Sequence, residues 1–100
     1  MTEKEIDNAI KTIATNYGVK AQSMQACEEC AELIQAVSKL TRGVTEMRIS
    51  ALVEEIADVR IMMSQLMQFY GIPEPEVSER IDEKLKRQLE RIREASHEHA

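Results

Sequence analysis

The chain has 100 residues, a formal net charge of −5, three aromatic residues, three Gly and two Pro. That length makes one small domain, whose core is modest enough for oligomerisation to be a reasonable means of completing it. The acidic balance argues against a protein that grips a nucleic-acid backbone. The longest apolar runs are about three residues, as in Ile61-Met62-Met63, against the roughly 20 that a membrane span needs. The polar start, Met1 to Glu5, has no apolar stretch of the kind that directs export, so the expected compartment is the cytoplasm.

Abundant Ala, Glu, Met, Ile and Leu predict an all-α fold, and the pattern resolves into four helices. The first is expected from about Glu3 to Tyr17. Thr2 and Glu5 form a capping box before it, and Gly18 stops it. The second runs from about Gln22 to Thr41 and stops near Gly43, with Ala26, Cys30, Leu33, Ile34, Val37 and Leu40 on its apolar arc. The third runs from about Glu46 to Tyr70 and is ended by Gly71 and Pro73. Its arc holds Ile49, Leu52, Ile56, Val59, Met63, Leu66 and Met67, while Val53 and Ile61 fall outside it. A helix apolar on more than one side is central to its bundle or lies at a subunit interface. The fourth begins near Pro75, and Val77, Ile81, Leu85, Leu89 and Ile92 give it a narrow seam; residues 95–100 read as a frayed tail. Short connections make sequence neighbours roughly antiparallel.

Two of these helices carry the same acidic signature, Glu28-Glu29-Cys30-Ala31-Glu32 and Glu54-Glu55-Ile56-Ala57-Asp58. Carboxylates three residues apart share a helix face. At 100° per residue, Glu29 falls between Ala36 and Leu40, and Glu55 between Met62 and Leu66. A carboxylate on an apolar arc is costly unless something pairs with it. Packing the two faces together would gather four carboxylates, and such a cluster stays ionised only around a cation. The all-oxygen donor set points to a hard divalent ion, magnesium or manganese. With 18 acidic residues in the chain, single Glu-x-x-Glu spacings arise by chance, so Glu3, Glu5, Glu76, Glu79, Glu90 and Glu94 read as solvated charges. The doubled motif on the two most apolar helices does not.

Cys27 and Cys30 form a Cys-x-x-Cys, but further soft ligands for zinc are lacking nearby and the helical context is wrong for a redox motif. They read as small buried residues kept reduced. His97 and His99 fall in the tail, and neither acidic helix carries a His, so the paired Glu-x-x-His of a ferritin-like di-iron site is not formed there. The six Met read as core filler.

The doubled Glu, the Glu three residues on and the later Glu-x-x-Asp resemble the MazG-like all-α nucleoside triphosphate pyrophosphohydrolases across most of the chain. The resemblance implies a four-helix MazG-like bundle completed by oligomerisation, as a homodimer or homotetramer. It implies magnesium, with manganese as a substitute, on Glu29, Glu32, Glu55 and Asp58, and conversion of a (d)NTP to its monophosphate and pyrophosphate. Glu32 is the candidate for orienting the attacking water; Glu28 and Glu54 are alternatives. The family's basic segment, often Lys-x-x-x-Asn-x-x-Arg, is matched in spacing by Lys84, Gln88 and Arg91, with Gln in place of Asn. Lys84 and Arg91 are thus the implied nucleotide contacts, with Lys39 and Arg42 as weaker ones. A deoxynucleotide diphosphatase or a phosphoribosyl-ATP pyrophosphohydrolase falls within the same resemblance. The alternative from another class is a non-catalytic helical oligomer, an adaptor or interaction protein.

Overall fold

The computed structural model describes residues 1–98 and has four α-helices with no strand among them. They are α1 (Glu3–Tyr17), α2 (Val19–Arg42), α3 (Glu46–Phe69) and α4 (Glu74–Glu98). Among the described residues no helix is long and apolar enough to cross a membrane. The chain divides into two compact units, one comprising Met1–Tyr70 and the other beginning at Gly71.

In the first unit the helix boundaries follow local chemistry. Thr2 Oγ1 accepts from the Glu5 amide at 3.1 Å, and Thr45 Oγ1 accepts from the Arg48 amide at 3.1 Å. Each satisfies one of the amides left without a partner at a helix start. Gly18 alone separates α1 from α2, at φ +87° and ψ 164°, a conformation open essentially to Gly. Because this single residue makes the whole turn, α2 begins at Val19, three residues before the expected start at Gln22.

The α2–α3 hairpin dominates the unit, joined by the three residues 43–45. On α2 its seam runs through the partly or wholly buried Gln22, Ala26, Glu29, Leu33, Ala36 and Leu40, alternating four and three residues apart. On α3 the same alternation runs through Leu52, Glu55, Val59, Met62 and Leu66. This is the spacing of two helices packed along a shallow crossing. Ala26 and Ala36 are among the most buried side chains, and their small size lets α3 approach closely. From α1, Ile10 and Ala14 are buried in the same core.

The α2 seam is therefore rotated from the expected arc. Cys30, Ile34 and Val37 are exposed, as are Cys27 and, on α3, Ile49, Val53, Ile56, Ile61 and Met63. The expectation that the two cysteines are buried fails for this reason: the apolar arc is wider than one neighbouring helix can cover, and α3 takes the side bearing Ala26, Glu29 and Ala36.

In the second unit, α4 runs unbroken to Glu98, so residues 95–98 are helical. His97 is exposed in the last turn, and His99 and Ala100 lie outside the described residues. Gly71, at φ +63°, supplies the left-handed residue after α3.

The most buried large side chain is polar. Gln65 on α3 is 1% exposed, and neither its Nε2 nor its Oε1 has a hydrogen-bond partner. An unpaired buried amide costs about 1–3 kcal/mol, and an apolar group of similar shape avoids that cost. Gln65→Met should therefore raise stability by about 1 kcal/mol or more in urea unfolding with an unchanged m-value. Destabilisation would mean that the amide is paired in solution.

Candidate functional site: an acidic cluster beside a cleft

Packing α2 against α3 brings Glu29, Glu32 and Glu55 together. Each offers a carboxylate oxygen, and these oxygens lie within 4.8 Å of one another. Asp58 stands outside that mutual set, one turn along α3 from Glu55, but its charge acts on both Glu29 and Glu55. Glu28 and Glu54 are exposed and not part of the cluster.

Glu29 and Glu55 occupy seam positions, partly buried, while Glu32 is exposed at the rim. Gln25, one turn before Glu29, donates from Nε2 to Glu29 Oε1 at 2.8 Å and fixes that carboxylate. The other oxygen, Oε2, is buried without a partner, as is Oε2 of Glu55. The donor set is all oxygen and suits a hard divalent cation, and the two orphaned oxygens are the atoms such an ion would satisfy.

Electrostatics agree with the geometry. Burial pushes the Glu29 carboxyl above its ordinary value of 4.5; the hydrogen bond from Gln25 works against this, and the charges of Glu32 and Asp58 add to it. Burial likewise raises Glu55, reinforced by Glu32, then Glu29, then Asp58.

Next to the cluster is a cleft of about 650 Å³ at the hairpin end. Glu32 and Glu55 form its acidic wall, Lys39 and Arg48 its basic groups, and Ala36, Met47 and Ala51 apolar lining. Arg48 Nη1 donates to the Gly43 carbonyl at 2.7 Å, which holds the guanidinium over the link. A Cβ at Gly43 would stand 3.1 Å from that nitrogen, so the glycine makes room for it as well as ending α2.

Lys39 thus lines the cleft and Arg42 does not. Lys84 and Arg91 are exposed on α4, in the second unit. Arg48 and Gln25 were not singled out by sequence reasoning. Gln25 had a signal, standing four residues before Glu29; Arg48 looked like an ordinary charge in a first helical turn.

A scan against protein-family models, a search of curated proteins and a search of solved structures each found no match. The functional reading therefore rests on the chain's own residues and on the motif resemblance.

The raised carboxyls have a pH consequence. Above pH 4.5 the unfolded chain releases these protons before the folded one does. Stability in chelator should therefore fall as pH rises through the two folded-state values, the reverse of the usual carboxylate dependence. The thermal midpoint in chelator should be higher near pH 4.5 than at pH 8, and Glu55→Gln should flatten the difference. A midpoint that rises with pH in chelator would contradict the desolvated cluster.

Proposed function

We propose that the chain is a MazG-like, magnesium-dependent nucleotide pyrophosphohydrolase that cleaves a (d)NTP to the monophosphate and pyrophosphate. The single observation that carries this reading is the pair of buried, partnerless carboxylate oxygens on Glu29 and Glu55, within reach of Glu32 and beside a cleft that holds Lys39 and Arg48. Core packing alone gives no reason to desolvate like charges at one place. Cation binding followed by an anionic substrate gives one.

Glu29, Glu32, Glu55 and Asp58 would hold magnesium, with manganese as a substitute; once bound, the ion supplies charge neutralisation and an acidified water. Hydrolysis would add a water across the anhydride between the α- and β-phosphates, with pyrophosphate as the leaving group. Glu32, at the exposed rim, takes the role of orienting the water and accepting its proton. Lys39 and Arg48 bind the phosphate chain by charge-assisted hydrogen bonds. Lys84 and Arg91 remain proposed nucleotide contacts from α4. In this reading the exposed apolar stripes of α2 and α3 are covered in a homodimer or homotetramer in the cytoplasm, because patches of that kind are uncommon on lasting monomers. A non-catalytic helical oligomer accounts for the stripes equally well. It does not account for Glu29 and Glu55 in the seam.

The decisive experiment is a pyrophosphate-release screen over the common and damaged (d)NTPs, in magnesium and in chelator. Magnesium-dependent release is expected for at least one of them, and no release from any would leave the adaptor reading in place. Glu55→Gln should abolish turnover and magnesium-dependent thermal stabilisation while retaining helical content; wild-type turnover in that variant would overturn the site assignment.

The basic groups are tested separately. Lys39→Ala and Arg48→Ala should each weaken nucleotide binding about ten- to a hundred-fold, the loss of one charge-assisted contact of about 1.5–3 kcal/mol, with magnesium affinity nearly unchanged. Lys84→Ala and Arg91→Ala should do the same if α4 reaches the phosphates. An unchanged Michaelis constant in either pair would remove that pair from the site.

A further inference from the structure

The second unit has a charge pattern of which the hydrolase reading uses only Lys84 and Arg91. Residues 74–83 carry five carboxylates and one guanidinium, a net −4, and residues 84–93 carry five cations and one carboxylate, a net +4. The sign changes between Glu83 and Lys84, more than two turns from either end of α4. The helix dipole rewards acidic residues only in a first turn and basic ones only in a last turn, so it does not explain a step at mid-helix. Two exposed pairs lie along the helix, Arg80 with Glu76 at 3.5 Å and Lys86 with Asp82 at 2.9 Å. Among the described residues Glu79, Glu83, Lys84, Arg87, Arg91 and Arg93 make no ion pair within 4.0 Å. Along the same helix runs the apolar stripe, with Ile81, Leu85, Leu89 and Ile92 each at least half exposed.

We propose that α4 pairs antiparallel with α4 of a second copy of this chain. The pattern is complementary to itself read backwards: antiparallel pairing sets each −4 half against a +4 half, twice, about one two-fold axis. Parallel pairing sets like halves together. A uniform polyanion or an anionic lipid surface would be repelled by the acidic half, which argues against both as occupants. The stripe fixes a register. Its spacing of four residues from Val77 to Leu89 folds onto itself with Val77 level with Leu89 of the second copy and Ile81 level with its Leu85. Asp82 and Lys84, at the edges of the stripe, then stand level along the pair, as do Glu79 and Arg87 on the faces turned away from it. The like-charge levels are Glu76 with Glu90, Arg80 with Lys86 and Glu83 with its own counterpart; of these, Glu76, Arg80 and Lys86 are already paired along their own helix by Arg80–Glu76 and Asp82–Lys86. The pairing does not depend on the hydrolase reading and brings two first units to one assembly whether or not they bind metal.

Disulfide trapping in the full chain tests it. With Cys27→Ser and Cys30→Ser as background, Ser78→Cys and Gln88→Cys are made singly, mixed in equal amounts and mildly oxidised at low ionic strength. The proposed register sets residue 78 level with residue 88. Positions ten residues apart on one helix are about 15 Å apart, whereas a disulfide needs Cα atoms within about 7 Å. The mixed disulfide should therefore far exceed the half that random pairing gives. Adding Leu85→Asp to both chains should reduce it to the level of an exposed control, Asn8→Cys, with helical content retained by circular dichroism. Predominance of the two symmetric disulfides would mean parallel pairing and overturn the proposal. So would trapping no greater than the control, the result expected if the stripe packs on another face of the protein, or trapping unaffected by Leu85→Asp.

Discussion

The arrangement of the first unit turns on a single conflict: two carboxylates occupy positions that packing would give to Leu. Glu29 and Glu55 lie in the buried register of the α2–α3 hairpin, and each has one oxygen with neither solvent nor a partner. Desolvation and mutual repulsion act together to raise their proton affinity. The surrounding features accommodate that conflict. Gln25 orients one carboxylate, Ala26 and Ala36 draw the helices close, and Arg48 is held over the Gly43 link. The hairpin tolerates the charges because its apolar levels above and below them are filled.

A seam arranged this way is less stable than one of plain hydrophobes, and in the proposed function a divalent cation on the orphaned oxygens would offset that cost. Under the proposed function that coupling makes the cluster a site and not an accident of composition. It also explains why the basic groups stand in an adjoining cleft and form no ion pairs with Glu29 and Glu55. Lys39 and Arg48 line the cleft with Glu32 and Glu55, where cations can meet an anionic ligand without displacing an ion from the seam.

Apolar stripes on α2 and α3, and the one along α4, exceed what each unit covers by itself. For a chain of 100 residues this is the expected result of surface-to-volume scaling: a small core leaves apolar side chains outside unless another surface meets them. The cysteines belong to this excess. They lie on α2 away from α3, exposed, where their polarity is no obstacle to an apolar contact.

The four helices, the cap at Thr2 and the breaks at Gly18, Gly43 and Gly71 were legible in the sequence, because periodicity and capping are local and need no partner. The doubled acidic motif was legible too, since carboxylates within an apolar stretch are anomalous wherever the helix packs. Which side of each wide arc becomes core was not legible. Cys30, Ile34 and Val37 are as apolar as Ala26, Leu33 and Ala36, and only the close approach permitted by the two alanines selects the second set. Arg48 and Lys39 were equally beyond reach as a pair, because their place in one cleft depends on how α2 and α3 meet across the link. Sequence determined the elements and the charges they carry. Tertiary packing decided which charges lose water, and a loss of water depends on neighbours distant in the chain.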